Sequence, residues 1–385
     1  MLNSNYQKKY LKDIPDYFYI KIDNSDRKLL FKKAIRNSGG RQVDLAKHLK
    51  IDRRRLEKWK MGIRCIPLGY LKEICSIARL DLSFLEQKEI WIKGGRYAKT
   101  FLIFRFPLEI NKKWAWMSQI INTDGHIDPK RKAIEISNTD WGVINKIKEF
   151  CIGLNLNKSV YERKHNDNAV FISICNKTLT NLFIEFLGCE YGSKFSRVKI
   201  SDNLLNSSNK SVIASAFRGA FDGDGWVCMR LKRIGLTMGS EVYVKQVSKA
   251  LYEKFGIKNK LYGPRDKKFN CEISSLRYLE RFQTEINFDN KKRKDRLTEI
   301  INSLRSSYQK KFHPGCSRYE CLKVVRENPG CTSGFIGIKL NRDRGSVRPI
   351  LQILREKNWL SFSKKGKEFI YTVSNEGLKV MEEFK

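Results

Sequence analysis

No run of apolar residues in this chain approaches the roughly 20 that a membrane-spanning helix needs, and the opening Met1-Leu2-Asn3-Ser4 carries no apolar signal core. These two absences point to a soluble, cytoplasmic protein. Ten cysteines occur without a single Cys-x-x-Cys pair, so reduced thiols are expected rather than a disulfide scaffold. His313, Cys316, Cys321 and Cys331 come nearest to a metal cluster, but their spacing fits no familiar zinc pattern. Acid is scarce: 41 Asp and Glu face 76 Lys and Arg, leaving a formal charge of +35. Such an excess repels itself and is relieved by a polyanion, whose phosphates release counterions on contact. Nucleic acid is therefore the first partner class. An anionic membrane is the second, weakened by the missing span. With 385 residues, 41% of them hydrophobic, the chain has material for two or three folded domains.

The first region, residues 1–95, has helical spacing over Gln42–Leu49, with Val43, Leu45, Ala46 and Leu49 on one face. Asp52 is a good N-cap for a second helix, Arg53–Lys60. Leu56 and Trp59 then face inward while Arg53, Arg54, Arg55 and Lys58 face water. This segment, with the helix start at Ile66-Pro-Leu-Gly-Tyr-Leu71, resembles the helix-turn-helix domains of phage-repressor type, which implies DNA contact by those four basic residues. A basic but purely structural hairpin is the alternative. In the last region, residues 316–385, helices are expected near Tyr319–Val325, Gly334–Leu340 and Val347–Trp359. Strands follow at Leu360–Ser363 and Phe369–Val373 around Gly366, and Ser374 caps a last helix. The order resembles a winged helix, with Lys364, Lys365 and Lys367 on the wing. Either DNA or a protein could occupy it.

The middle repeats itself, with copies at 111–205 and 206–305. Ile136-Ser-Asn-Thr139 matches Leu236-Thr-Met-Gly239, and a helix, a Gly-initiated turn, a strand and a second helix follow in each copy. So long a period means two pseudosymmetric halves rather than a solenoid. Each half reads helix, two strands, helix, two strands, helix: an α+β class with antiparallel sheets covered on one face by helices. The copies open on Met117-Ser-Gln-Ile-Ile-Asn-Thr-Asp-Gly125 and Phe217-Arg-Gly-Ala-Phe-Asp-Gly-Asp-Gly225. Asp124 and Asp224 thus stand one repeat apart.

Here the chain resembles the LAGLIDADG homing endonucleases in their single-chain, two-motif form. The resemblance implies a duplicated αββαββα homing-endonuclease fold whose motif helices pack along a pseudo-twofold axis. It implies metal at their ends (Asp124, Asp224, with Gly125 and Gly225) and sheets forming a DNA-binding saddle. Paired carboxylates holding Mg²⁺ suit phosphodiester hydrolysis, since a hard cation on oxygen ligands activates water and steadies the leaving oxygen. The first copy departs from the motif: Gln119 stands opposite Gly219, Asn122 opposite Asp222, and Thr123 opposite Gly223. Gln119 bears on the helix contact, and Asp222 is expected to cap or hydrogen-bond locally.

The family also places a basic residue late in each repeat, which Lys194 and Lys292 match as catalytic partners; Arg197, Lys199, Lys291 and Arg293 compete for that role. Lys130, Arg131, Lys132, Arg230, Lys232 and Arg233 are expected on DNA. The leading expectation is a free-standing, monomeric, Mg²⁺-dependent endonuclease that cuts double-stranded DNA at a specific site. A transcription regulator that keeps the fold without cleavage, and a maturase acting on intron RNA, are the rivals.

Overall fold

The chain divides into two units, Met1–Thr298 and Glu299–Lys385. The computed structural model describes residues 8–98, 100–164, 169–192, 196–311, 316–366 and 368–383. The first unit begins with β1 (Lys8–Lys9), β2 (Tyr19–Lys21), α1 (Asn24–Asn37), α2 (Gln42–His48), α3 (Arg53–Lys60), β3 (Ile66–Pro67), α4 (Leu68–Ala78), β4 (Ile90–Lys93), β5 (Leu102–Phe104) and β6 (Leu108–Glu109). Asp52 caps α3 as the sequence suggests, accepting from the Arg54 and Arg55 backbone N–H groups at 2.8 and 3.3 Å. Leu45, Ala46, Leu49, Leu56 and Trp59 are buried, but Val43 is exposed. Its position on the first turn of α2 lies beyond the reach of the α1–α4 core.

This region is not purely helical. Strands β3-β2-β4-β5 form a four-stranded sheet whose inner face carries Ile20, Ile66, Ile92 and Leu102. Strands of two to four residues are too short to print a period-two pattern. The sheet is fastened to the first repeat: the Gly94 N–H donates to Thr178 Oγ1 at 2.7 Å, and Tyr17 Oη donates to Glu185 at 2.8 Å.

The repeats follow. The first holds α5 (Lys112–Asn122), β7 (Gly125–Asp128), β8 (Ala133–Asn138), α6 (Trp141–Ile152), β9 (Val160–Lys164), β10 (Val170–Ile174) and α7 (Lys177–Leu187). After α8 (Asp202–Leu205) come α9 (Lys210–Gly223), β11 (Gly225–Cys228), β12 (Arg233–Met238), α10 (Glu241–Phe255), β13 (Lys260–Arg265), β14 (Lys268–Ile273) and α11 (Leu276–Glu285). The αββαββα order therefore occurs twice, in an α+β architecture of antiparallel sheets. Strand orders correspond, β7-β8-β10-β9 and β11-β12-β14-β13. So do registers: Gly125 pairs with Ile136 and Gly225 with Leu236. Ile134, Ile136, Ile172 and Ile174 are buried on the helix-covered face of one sheet, as Ile234, Leu236, Cys271 and Ile273 are on the other.

Along α5 and α9 the two repeats share one seam. A Cβ on Gly219 would collide with the Trp116 carbonyl oxygen and lie 3.3 Å from Gln119 Cβ. Gln119 does not pry the helices apart. Its Nε2 donates to Ser118 Oγ at 3.0 Å, and its Oε1 accepts from Tyr243 Oη of α10 at 2.6 Å. The amide is thus satisfied inside the core, and a glycine on one side suffices for the close approach.

The chain continues through α12 (Lys291–Lys311). The second unit contains α13 (Ser317–Glu327), β15 (Cys331–Thr332), α14 (Ser333–Lys339), α15 (Arg344–Glu356), β16 (Leu360–Lys365), β17 (Glu368–Val373) and α16 (Asn375–Glu382). Val347, Leu351 and Leu354 of α15 pack with Leu322, Val325, Ile336 and Met381. Ile350 remains half-buried. The sheet order is β15-β17-β16. Ser374 caps α16, accepting from the Gly377 N–H at 3.0 Å. No helix among the described residues is long and apolar enough to cross a membrane.

Gly219→Ala should lower stability by about 1–3 kcal/mol, because both sides of the seam are backbone and neither can yield cheaply. Gly153→Ala, whose added Cβ would meet Glu149 O at an ordinary 3.4 Å, should stay within about 0.5 kcal/mol of the parent. Equal urea midpoints for the two variants would remove the seam from the account.

Candidate active site

Each motif helix stops for a local reason. Thr123 leaves helical geometry at φ −101°, ψ −80°, and Gly125 then enters β7. A side chain is not tolerated at Gly125, where a Cβ would lie 2.9 Å from Ile136 Cγ1 and 3.1 Å from Ile121 Cα. Asp224 is itself the C-cap of α9, at φ −87°, ψ 6°, and a Cβ on Gly225 would lie 2.8 Å from Phe221 Cα. The Asp124 carbonyl accepts from Ser137 N–H at 3.4 Å and the Asp224 carbonyl from Thr237 N–H at 3.3 Å. Both acids therefore occupy one equivalent turn.

The seam brings the two turns together. A Cβ on Gly223 would fall 2.5 Å from Thr123 Cβ and 3.4 Å from Asp124 Cγ, so the Asp124 carboxyl lies against the end of α9. Asn138, from β8, donates to Asp124 Oδ2 at 2.5 Å. This residue was not singled out by sequence reasoning, although it lies in the repeated segment 136–139, where its counterpart is Met238.

Among the described residues, Arg293 is the basic residue brought to these acids. Its guanidinium donates to the carbonyls of Phe221 at 2.7 Å and Gly223 at 2.9 Å, and also to that of Asp222. It thereby caps the carbonyl end of α9, where a cation complements the helix dipole. Burial pulls its pKa down, while the carboxylates of Asp124, Asp222, Asp224 and Asp140 hold it up. One guanidinium thus feels both motif acids. Lys292, its neighbour, is exposed on α12. The single-residue offset follows from helix geometry, about 100° per residue, which period matching between loops does not resolve. Lys199 and Lys291 are exposed, and Arg197 approaches Glu190 at 3.8 Å. Lys194 lies outside the described residues, as does His313.

Asp222 is fully buried and does act locally. It accepts from Trp116 Nε1 at 3.1 Å and from the backbone N–H groups of Asp289 and Asn290 at 2.8 and 3.0 Å. It therefore ties α5 to α9 and fixes the turn into α12. Burial pushes its carboxyl pKa up to about 7 against the pull of those donors.

The donors facing the helix ends are oxygens. Ile127 turns its carbonyl away from β8 to accept from Gly192 N–H at 2.9 Å. Strand alternation puts the Gly125 carbonyl on the same open edge. Gly225 holds the matching register. Among the described residues no group of three or more His, Cys, Asp or Glu forms a cage complete in itself. A pair of carboxylates fits Mg²⁺, which keeps waters and takes substrate phosphate for its remaining ligands.

The basic residues expected on DNA divide into several kinds. Arg53, Arg54, Lys58, Lys130, Arg230 and Lys364 are exposed, and Lys232 is half-buried. Arg55 is exposed but stacks over Trp59 and Tyr70, at 4.9 and 5.0 Å. Lys132 lies 4.0 Å over the Tyr191 ring. Arg131 pairs with Asp128 and with buried Glu135, which also meets His126 at 3.0 Å. Arg233 meets Glu272 at 2.5 Å. Arg131 and Arg233 thus neutralise acids on the open sheet faces rather than standing free for phosphate. Lys365 lies in β16, and Lys367 lies outside the described residues.

Comparison with known proteins bears on this geometry. Residues 211–287 match the LAGLIDADG-like domain. The matched stretch begins in α9 and ends just beyond α11, and so takes in the second repeat. The chain is 31% identical over 173 residues to the DNA-directed RNA polymerase subunit Rpo1C of Methanocaldococcus jannaschii, covering 44% of this chain and 19% of the relative. It is 25% identical over 268 residues to the probable translation initiation factor IF-2 of the same organism, covering 66% and 22%. The chain thus spans about a fifth of the length of these relatives. Among solved structures it is similar to I-DmoI in complex with DNA and Mn (16% identity, TM-score 0.35, 46% of this chain, 97% of that one). It is also similar to full-length DUF199/WhiA from Thermatoga maritima (13%, TM-score 0.35, 65% and 92%).

Replacing Arg293 with Met should cost about 2–3 kcal/mol, since charge-assisted bonds to helix-end carbonyls are lost without replacement. Arg293→Lys should recover only part, because one ammonium lacks the planar fork that reaches several carbonyls. Urea unfolding read by tryptophan fluorescence tests the order; a lysine variant as stable as the parent would refute the fork.

Proposed function

We propose that this chain is a DNA endonuclease of homing type that hydrolyses both strands of a specific duplex site, with Asp124 and Asp224 holding a divalent cation. The observation that carries this reading is the meeting of two equivalent acids at the ends of helices sealed by Gly219, in a strongly basic, duplicated domain. The matched LAGLIDADG-like segment supports it. So does the match of part of this chain to about a fifth of a polymerase subunit and of an initiation factor, proteins whose differing names point to a separable module.

In this reading Asp124 and Asp224, with the Gly125 and Gly225 carbonyls, bind the ion, and Asn138 keeps one Asp124 oxygen oriented. A bound ion would supply Lewis acidity at the phosphate and make an attacking water more acidic. Arg293 keeps positive charge beside the acids, where charge builds on the phosphate. Arg293 thus takes the role expected of Lys292, and Lys194 is held as a further basic partner. The open sheet faces contact the major groove, α3 reads DNA as a helix-turn-helix, and residues 316–385 act as a winged helix. Internal duplication provides the pseudosymmetry, so the acting species is a monomer.

One observation favours a non-cleaving, DNA-binding regulator: the Arg293 guanidinium already sets one positive charge beside the acid pair. The two readings separate when the full chain is incubated with genomic DNA fragments and Mg²⁺ beside an Asp124→Asn, Asp224→Asn double variant. Discrete cuts, reduced at least about 1,000-fold in the variant, are the expected result. Unchanged binding with no cuts from either protein would replace the nuclease with the regulator, and preference for folded RNA would replace it with the maturase.

A further inference from the structure

Beside α3 lies a cleft of about 790 Å³ that the motif domain does not explain. One wall is α3, through Arg54, Arg55 and Lys58. The other is the turn after β4, Lys93-Gly94-Gly95-Arg96-Tyr97, with Lys21 and Arg64 between them. Its lining holds seven Lys and Arg residues against one acid, Asp52, whose carboxylate is already engaged in capping α3. Small-molecule pockets are mostly apolar with a few placed polar groups; this lining is the reverse. Seven cations spread along two walls exceed what a single phosphate needs and suit a backbone with several.

The second wall is built to present its charges. Lys93 Nζ donates to the Arg96 carbonyl at 2.9 Å and sits over Phe101 and Tyr19, at 5.6 and 5.7 Å. Tyr97 is 84% exposed, and its ring has the Arg96 guanidinium 5.4 Å away. A ring so exposed contributes little to the core and is available to a sugar or base edge. Between these residues Gly94 is locked to α7 by the Thr178 bond, and a Cβ there would lie 2.9 Å from the Lys177 carbonyl. The turn is therefore fixed with respect to the first repeat.

We propose that Lys93, Arg96 and Tyr97 form a second DNA-gripping arm that holds the sugar-phosphate backbone of duplex DNA beside the groove entered by α3. This rests on the reading of α3 as a DNA-contacting helix, and it adds a consequence. Because Gly94 bolts the arm to α7, DNA held in the cleft is set in register with the duplicated domain rather than tethered loosely to it.

The test is equilibrium binding of the full chain to a fluorescent random-sequence duplex, without divalent metal so that cleavage plays no part, over a range of salt. Lys93→Gln with Arg96→Gln should weaken binding about tenfold and reduce the slope of log K against log salt by about 2. Lys93→Arg with Arg96→Lys should restore both, and thermal melts should confirm that each variant is folded. A control pair on the outer face of α10, Lys249→Gln with Lys254→Gln, should change little. If the arm pair behaves like the control while Arg53→Gln with Lys58→Gln weakens binding, the arm is overturned and the α3 reading stands. If neither the arm nor the α3 pair weakens binding, both fall. A loss seen only with single-stranded DNA would also overturn the duplex arm.

Discussion

The close approach of α5 and α9 is the contact on which the rest of the molecule depends. Gly219 lets one backbone lie against the Trp116 carbonyl, and everything at the helix ends follows from that spacing. With a larger residue there, Gly223 would no longer rest on Thr123, the two turns would separate, and Asp124 would lose the end of α9 as its neighbour. Gln119 shows how such a seam tolerates asymmetry. A buried amide remains harmless when Ser118 and Tyr243 satisfy it.

Charge is handled by a second, related device. The chain carries a large positive excess, yet Asp222 is fully buried and the motif acids half-buried at the helix ends. Asp222 ties the Trp116 indole of α5 and the 289–290 backbone to α9, and Arg293 closes the end of α9 while facing both motif acids. On the open sheets, Glu135 and Glu272 are neutralised by Arg131 and Arg233, so those faces present less free cation than a residue count suggests. Among the described residues, exposed cations remain at the β7–β8 and β11–β12 turns, Lys130 and Arg230, and along α3.

Much of the fold was legible in order and in kind. The repeat from 136–139 to 236–239, the strand and helix alternation and the caps at Asp52 and Ser374 all follow from residue chemistry acting within a few positions. The sheet β3-β2-β4-β5 was not legible, because strands of two to four residues print no period and draw their stability from partners distant in the chain. Val43 reads as a core residue by spacing alone, yet the neighbouring helices leave it in water. At the site, the acids were visible as a repeated pair. Asn138 was not, since its repeat partner is Met238 and symmetry offers no hint.

Asp124 and Asp224 mark the boundary between the two kinds of information. Sequence alone determined that they occupy equivalent turns, because Asp-Gly after a helix is a local matter of helix termination and strand entry. It also determined the large positive excess, which a polyanion would relieve, since net charge needs no fold. Which cation faces the acids was decided only by tertiary structure. Arg293 and Lys292 are adjacent and chemically similar, and only the rotation of α12, set by Asp222 accepting from the Asp289 and Asn290 backbone, turns one inward and leaves the other in water.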